Sequence, residues 1–465
     1  MYEIDFNHPI SVFFCGIGGI SMSGLAEILA DRGFNVSGSD RTESDVTRML
    51  RARGIRVVIG QTEDNITADL DLVVFTAAIH PDNPEYRRTQ ELGLPSLTRA
   101  QLLGEIMRGY TCSIAVAGTH GKTTTTSMIS EVLIGSGCDP TVSVGGMLPS
   151  IGGNVRIGRS DYCVAEACEY TNSFLSMTPQ IGIILNVDAD HLDFFKDLAD
   201  IRHSFRLFAE QIPEDGVLII GSDIPDLHDL TDGLACRVVT FGSSPEQSDY
   251  WAEDVVFDTY ARPTFTACCR SGNGIARQQI SLRVPGWHNV SNALAALAAA
   301  DLIGASRKDT ALLLAGFEGT GRRFEYKGEW RGITIIDDYA HHPTEIRATL
   351  LAAAAMPHDR VVCIFQPHTY TRTFALMDEF AAALSLADVV ILADIYAARE
   401  TDTLGISSQT LADRIRDLGH EEVHFLPSFE AIENFVRSNC RSGDLLITMG
   451  AGNVTEIGPS LLQNR

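Results

Sequence analysis

Residues 118–124 read Gly-Thr-His-Gly-Lys-Thr-Thr and follow directly on the apolar run 113–117. That composition holds the parts of a phosphate cradle. Gly118 and Gly121 let backbone N–H groups face an anion, and a following helix adds partial positive charge at its start. Lys122 supplies a point charge and Thr123 a hydroxyl suited to a metal, with Thr119, His120 and Thr124 beside them. The usual loop has its first glycine five positions before the glycine of the Gly-Lys pair, but Val116 stands there, so this loop is shortened ahead of its turn. A triphosphate carries about four negative charges, which one lysine does not balance. ATP and Mg²⁺ are therefore the groups this pattern calls for. Lysine occurs only at 122, 196, 308 and 327, which sets Lys122 apart from surface filler.

Two further residues have the chemistry to hold the metal. Glu166 ends the strand-like run "YCVAE", and His191 follows another such run in "ILNVDADHLD". Ligands in open α/β sheets gather at the carboxyl ends of strands. Magnesium prefers oxygen donors, so His191 fits either a structural role or ligation of a second ion. Thr123, Glu166 and His191 form the expected metal set.

A second glycine turn lies at "CGIGGIS". Gly16 and Gly18 fit a dinucleotide fingerprint, Gly19 follows, and Ser21 stands where the third glycine would be. Asp40 ends the next strand, near where a ribose would sit. The pattern fits the nicotinamide cofactor of a dehydrogenase or the diphosphate of another nucleotide. Thr76, opening "TAAIHPDNPE", completes this candidate substrate set.

These residues need strands and helices to place them. The first 108 residues alternate strand-like and helical patterns, as do those after 320, which argues for parallel sheets with crossover helices. The middle repeats the pattern through "GVLII", turns more β-rich from about 236 to 285 with a turn at "RSGNG", and closes on an alanine-rich helix. The expected fold is α/β in three domains: a Rossmann-like unit over 1–108, a P-loop ATPase-type mixed or parallel sheet over 109–319, and a second Rossmann-like unit over 320–465.

Composition narrows the function classes. The 465 residues are 45% hydrophobic and 21% charged, with a net charge of −24. Such an acidic chain is a poor partner for nucleic acid or anionic membranes. The ten cysteines form no C-x-x-C pair and sit mostly in apolar runs, as expected of buried, reduced thiols. No apolar run reaches the eighteen or so residues of a membrane span, and the start lacks a signal-type core. A cytoplasmic protein without membrane insertion is expected, its oligomeric state open.

Six motifs in order, "GTHGKT", "EACE", "NVDADHLD", "GWHNVSN", "GRRFE" and "DDYAHHP", resemble the Mur ligase family across essentially the whole chain. The resemblance implies ATP-dependent amide formation in three domains that bind a UDP-sugar, ATP and an amino acid. It would place Asn289 and Asn292 toward the adenine, and Asp338 and Tyr339 toward the ribose. Arg323 would reach the γ-phosphate, although the Arg322–Arg323 pair also fits a surface ion pair. His120 would touch substrate or simply pack, and His288 fits a structural role. His341, His368 and Arg372 fall near the amino acid and the acceptor acid, with His342 the candidate general base.

Within the family, "CGIGGISMSGLAEIL", "FQPHTYTRT", "YAARET" and "GDLLITMGAGNV" resemble the branch that joins L-alanine to the lactyl carboxylate of UDP-N-acetylmuramate in peptidoglycan precursor synthesis. The expected partners are thus UDP-N-acetylmuramate, L-alanine and ATP. Helix-like "LADIRHSFRLFA" lacks the carbamylated lysine of several relatives, in keeping with that branch. The alternatives are a ligase that recycles a murein tripeptide and, from another class, an NAD-binding dehydrogenase.

Overall fold

The structure is a computed structural model describing residues 2–76, 79–272, 274–398 and 400–463. Ala77 and Ala78 of "TAAIHPDNPE", Asn273 of "RSGNG" and Arg399 of "YAARET" lie outside the described residues.

Three sheets succeed one another along the chain. The first joins β1 (Ser11–Cys15), β2 (Asn35–Asp40), β3 (Arg56–Ile59), β4 (Leu72–Phe75) and β5 (Ser96–Thr98) in the order β3-β2-β1-β4-β5, all parallel. Apolar runs such as "SVFFC" and "LVVF" suit strands covered on both faces by helices. The order reverses between β1 and β4, the point at which such sheets open a ligand crevice. Gly16 and Thr76, which follow these two strands, meet there: a Cβ on Gly16 would lie 2.8 Å from the Thr76 methyl. Gly16 also has a φ of +81°, which L side chains rarely adopt.

The central sheet has ten strands. They are β6 (Cys112–Ala117), β7 (Thr141–Leu148), β8 (Gly153–Arg156), β9 (Tyr162–Glu166), β10 (Ile181–Ile184), β11 (Val217–Gly221), β12 (Arg237–Gly242), β13 (Tyr250–Phe257), β14 (Pro263–Ser271) and β15 (Gly274–Ser281). Their order is β15-β14-β13-β12-β11-β10-β6-β9-β7-β8, parallel from β13 through β7 and antiparallel at both edges. The consequence for chemistry is the adjacency β10-β6-β9. Glu166 ends β9, Lys122 opens the helix after β6 and His191 follows β10, so the carboxyl ends of these three strands collect them.

The third sheet joins β16 (Glu325–Trp330), β17 (Ile333–Asp338), β18 (Val361–Phe365), β19 (Val389–Leu392), β20 (Val423–Phe425) and β21 (Leu445–Met449) in the order β16-β17-β21-β18-β19-β20. It is parallel apart from the β16–β17 edge. Among the described residues no helix is long and apolar enough to cross a membrane.

The three units are joined in different ways. One continuous apolar cluster runs from Val12, Leu25 and Ile106 of the first unit to Phe174 and Phe205 of the central one. The third unit has its own clusters and meets the central one through polar groups. The first joint leaves no slack. Gly104, in the helix Arg99–Arg108, packs so closely that an added Cβ would overlap the Ser176 carbonyl. Gly104→Ala is expected to destabilise the protein by about 1–3 kcal/mol, since backbone must shift to admit the methyl. A thermal melt reads this, and an unchanged midpoint would show that the joint yields freely.

Candidate active site

The shortened loop is a strand-to-helix turn. β6 ends at Ala117, Gly118 and Gly121 take positive φ values of 137° and 84°, and the helix Lys122–Gly135 starts at once. Neither glycine tolerates a side chain. A Cβ on Gly118 would stand 2.9 Å from the Leu185 side chain, and one on Gly121 2.6 Å from Asn292 Oδ1. The loop is also tied to the segment after β10. Thr119 N–H donates to Asn186 O, Thr119 Oγ1 accepts from Asp188 N–H at 2.8 Å, and His120 N–H donates to Asn186 Oδ1 at 2.8 Å.

Lys122 Nζ donates to the carbonyls of Gly118 (2.6 Å) and Thr119 (3.0 Å) and lies 2.9 Å from Glu169 Oε2. Burial alone would lower its pKa, but Glu169 and then Cys168 and Glu166 outweigh it and hold the ammonium well above its usual range. The lysine is thus fixed as a cation. Thr123 Oγ1 donates to Glu166 Oε2 at 2.8 Å, and Gly145 N–H donates to the same oxygen at 2.9 Å.

His191 sits apart from that pair. Its Nε2 lies 3.8 Å from Glu169 Oε1, its ring meets that of Tyr170 at 4.5 Å and a 34° tilt, and its Nδ1 is 3.4 Å from Arg372 Nη2. Burial, aided by Arg372 and Lys122, lowers its pKa despite Asp190 and Glu169, which keeps the ring neutral as a metal ligand must be. The expected metal residues therefore fall into two oxygen-bearing groups, Thr123–Glu166 and His191–Glu169. Thr123 and Glu166 offer magnesium a hydroxyl and a carboxylate, and the second group offers it the Glu169 carboxylate.

Beside the loop opens a cavity of about 410 Å³, lined by His120, Gly121, Thr124, Asn289, Asn292, Arg323 and Asp338 among others. Leu185, Ile224, Phe241, Val284 and Trp287 make one part of its wall apolar. Asn292 Nδ2 donates to Asn289 Oδ1 at 3.0 Å, and Asn289 Nδ2 donates to Pro285 O, which fixes both amides. His288 is exposed on the cavity wall, with its Nε2 3.2 Å from Asn289 Nδ2. Burial pushes Asp338 up to about 6, against Arg323 and the N–H groups of Ala340 and Phe324.

The two arginines divide. Arg322 turns inward to Asp337 (3.3 Å) and the Gly450 carbonyl (2.6 Å), whereas Arg323 faces the cavity. Tyr339, expected toward the ribose, is placed outside the cavity lining. Both guanidiniums lie over its ring, at 4.9 and 5.0 Å, which turns it into a platform for Arg323.

His342 also departs from expectation. It caps the helix Pro343–Ala354, its Nδ1 accepting from Thr344 N–H at 3.3 Å while its Nε2–H points to Ala189 O at 3.0 Å. Both ring nitrogens are occupied, so no lone pair is left for a general base. His341 and His368 meet edge to face at 6.0 Å, and His368 Nδ1 lies 3.1 Å from Arg372 Nη1. Burial pushes these two imidazoles down to about 3 and about 4.

At the first glycine turn, Gly18 N–H donates to Asp40 Oδ2 at 2.9 Å, and Thr42 N–H donates to Oδ1 at 3.3 Å. Asp40 therefore buttresses the turn, and Gly18 N–H is not free for a diphosphate. Gly16 N–H and Gly19 N–H are likewise bonded, to Ser39 O and Gly16 O. The donors left are those opening the helix Ile20–Asp31, where Ser21 Oγ accepts from Arg99 Nη1 at 3.1 Å.

Four acids escaped the sequence reading. Glu169, Asp188, Asp190 and Glu345 all lie within quoted motifs or just beyond them, but nothing local marks them as partners of Lys122, His120 and Arg372. His120 shows their effect. Burial alone would lower its pKa, yet Asp188 (3.4 Å from Nε2) and Glu345 (3.3 Å from Nδ1) push it up to about 9. Because the folded value exceeds the ordinary 6.5, this contact gives stability fully present below pH 6.5 and lost as pH rises through about 9. Melting temperature measured from pH 6 to 10 should fall over that window in the parent more than in His120→Gln; parallel curves would refute the pairing.

Three family models match in sequence: "Mur ligase family, catalytic domain" over residues 11–111, "Mur ligase middle domain" over 116–300, and "Mur ligase, glutamate ligase domain" over 322–452. The UDP-N-acetylmuramate–L-alanine ligase of Lachnospira eligens is 57% identical over 463 residues, covering 100% of both chains.

The chain belongs to the Mur ligase family.

It is accordingly an enzyme of the ligase class. Solved members share its architecture. The UDP-N-acetylmuramate-alanine ligase of Thermotoga maritima superposes with a TM-score of 0.80 at 30% identity, covering 98% of this chain and 99% of that one. A murein peptide ligase of Psychrobacter arcticus gives 0.72 at 27% identity, covering 98% of both. Within this Mur ligase the first sheet, the phosphate-loop sheet and the third sheet follow the order of the three matched models.

Proposed function

We propose that this Mur ligase joins L-alanine to the lactyl carboxylate of UDP-N-acetylmuramate with consumption of ATP, a step of peptidoglycan precursor synthesis in the cytoplasm. The observation that carries the reading is the cationic Lys122 turn at the mouth of the nucleotide-sized cavity, with Thr123 already on Glu166. The choice of alanine rests on full-length likeness to enzymes named for it, 57% identical in a curated relative and superposing at a TM-score of 0.80 in a solved structure, against 0.72 for a murein peptide ligase. Residues 1–108 would take the UDP-sugar, 109–319 the ATP, and 320–465 the amino acid.

A carboxylate is a poor acyl donor because its leaving group would be oxide. Attack of the lactyl oxygen on the γ-phosphorus breaks the bond to ADP and gives an acyl phosphate. The alanine amine then adds to the acyl carbon, loses its proton and expels phosphate, leaving the amide. Negative charge builds on oxygen in both steps, so fixed cations and N–H dipoles supply the catalysis. Lys122 and the N–H groups of Gly121, Lys122 and Thr123, at the start of the helix, face the β- and γ-phosphates. Arg323, held flat on Tyr339, meets the γ-phosphate from the third domain. Asn289 and Asn292 contact the adenine, and Asp338 the ribose. Arg372, with His341 and His368, orients the carboxylates. Mg²⁺ held by Thr123 and Glu166, and by His191 with Glu169, would neutralise phosphate charge.

Phosphate release in a panel of alanine, glycine, serine and murein tripeptide tests the assignment. Alanine should give the highest kcat/KM, over glycine by about 10-fold or more for one methyl. A tripeptide preference would transfer the chain to the recycling branch, and turnover with no triphosphate consumed would end the proposal.

A further inference from the structure

The third domain meets the central one across a row of imidazoles and acids, and one group there has the makings of a site for a different metal. His120, Asp188 and His342 each offer a ligand atom, and these atoms lie within 4.8 Å of one another. Among the described residues this is the one such group with three side chains. His120 comes from the phosphate loop and Asp188 from the segment after β10. His342 opens a helix of the third domain.

The details favour a borderline transition ion. His120 Nε2 is buried, makes no hydrogen bond and lies 3.4 Å from Asp188 Oδ2; an ion bound there takes the place of its proton. Two donors about 2.1 Å from a tetrahedral zinc stand about 3.4 Å apart, so this pair already has the spacing of two ligands on one ion. The other ring nitrogen, Nδ1, lies 3.3 Å from Glu345 Oε1, the carboxylate backing that orients metal-bound histidines. The His342 ring is 4.7 Å from that of His120, centroid to centroid. Its one lone pair is on Nδ1, which must exchange the Thr344 N–H at 3.3 Å for the ion, while Nε2–H stays on Ala189 O as the backing bond. Two imidazoles and one carboxylate suit zinc and cobalt far better than magnesium.

We infer that His120, Asp188 and His342 bind a zinc-type divalent cation, which pins the third domain onto the central one and holds the cleft shut. This site is separate from the oxygen-rich groups around Thr123 and His191. Because product leaves only when the cleft opens, an ion here acts as a brake on turnover. The site stands on its own geometry, whatever amino acid the enzyme uses.

Cobalt(II) added to the full chain in excess Mg²⁺, with no substrate present, tests it. One equivalent should give the visible bands of a four-coordinate ion with nitrogen and oxygen ligands. Those bands should be lost in His342→Ala and in Asp188→Asn, and kept in His228→Ala, whose side chain is 66% exposed. Asp188→Asn keeps the side-chain shape and an acceptor for Thr344, so the result stands even if His342→Ala loosens its helix; circular dichroism checks both folds. Absence of the bands, their survival in both variants, or a sulfur-to-cobalt charge-transfer band overturns the inference.

Discussion

Lys122→Met should lower alanine-dependent phosphate release by about 10²–10³-fold, the usual cost of removing one fixed charge that meets a developing anion. A second effect comes with it. Glu169 is 3% exposed and loses its cation, and breaking a buried pair costs about 3–5 kcal/mol. The melting temperature should fall too, which would confuse a single-variant result. The double variant Lys122→Met/Glu169→Gln separates the two, since a neutral amide no longer needs the ammonium. Most of the lost melting temperature should return while the rate stays low. A double variant that regains both would make Lys122 a structural residue and remove the centre of the mechanism.

Arg372→Ala should act through the joint between domains. Arg372 Nε donates to Asp190 Oδ1 at 2.8 Å, and the two side chains are only 9% and 6% exposed. Burial alone would raise the Asp190 pKa, but Arg372 and His191 hold it well below the carboxylate range. Loss of the guanidinium leaves a buried charge unpaired, and opening the cleft is the readiest relief because, among the described residues, the third domain's apolar clusters are its own. A larger radius of gyration in small-angle scattering and a fall in kcat of about 10²-fold are expected, a displacement of about 1 Å sufficing for such a loss. Arg372→Lys should fall between, keeping the charge but losing the fork that also reaches His368 and His191. Scattering and turnover both unchanged in Arg372→Ala would show that the pair does not hold the cleft.

Much of the architecture was legible. The alternation of apolar strands with helical patterns predicts three α/β units, and the β-rich stretch from about 236 to 285 resolves into the strands β12 to β15. Strands β7 and β8 went unread, their glycine-rich "VSVGGML" and "GNVR" lacking the apolar density of a central strand. The phosphate loop was legible because its parts are consecutive residues. The roles of Asp40, Tyr339 and His342 were not, since each depends on which hydrogen bonds and ring contacts the folded chain has already used.

By itself the sequence determined the local chemistry: a glycine turn with one scarce lysine and a hydroxyl after it, acids and imidazoles just past strand ends, and the six motifs of the family. These follow from neighbours in the chain, whose φ/ψ preferences and side-chain types act over a few residues. Only the tertiary structure decided the pairings. Arg372 finds Asp190 across 182 positions, and His120 meets Glu345 from another domain. Such contacts depend on how sheets stack and where a cleft closes, and burial then sets which acids stay charged and which imidazoles stay neutral.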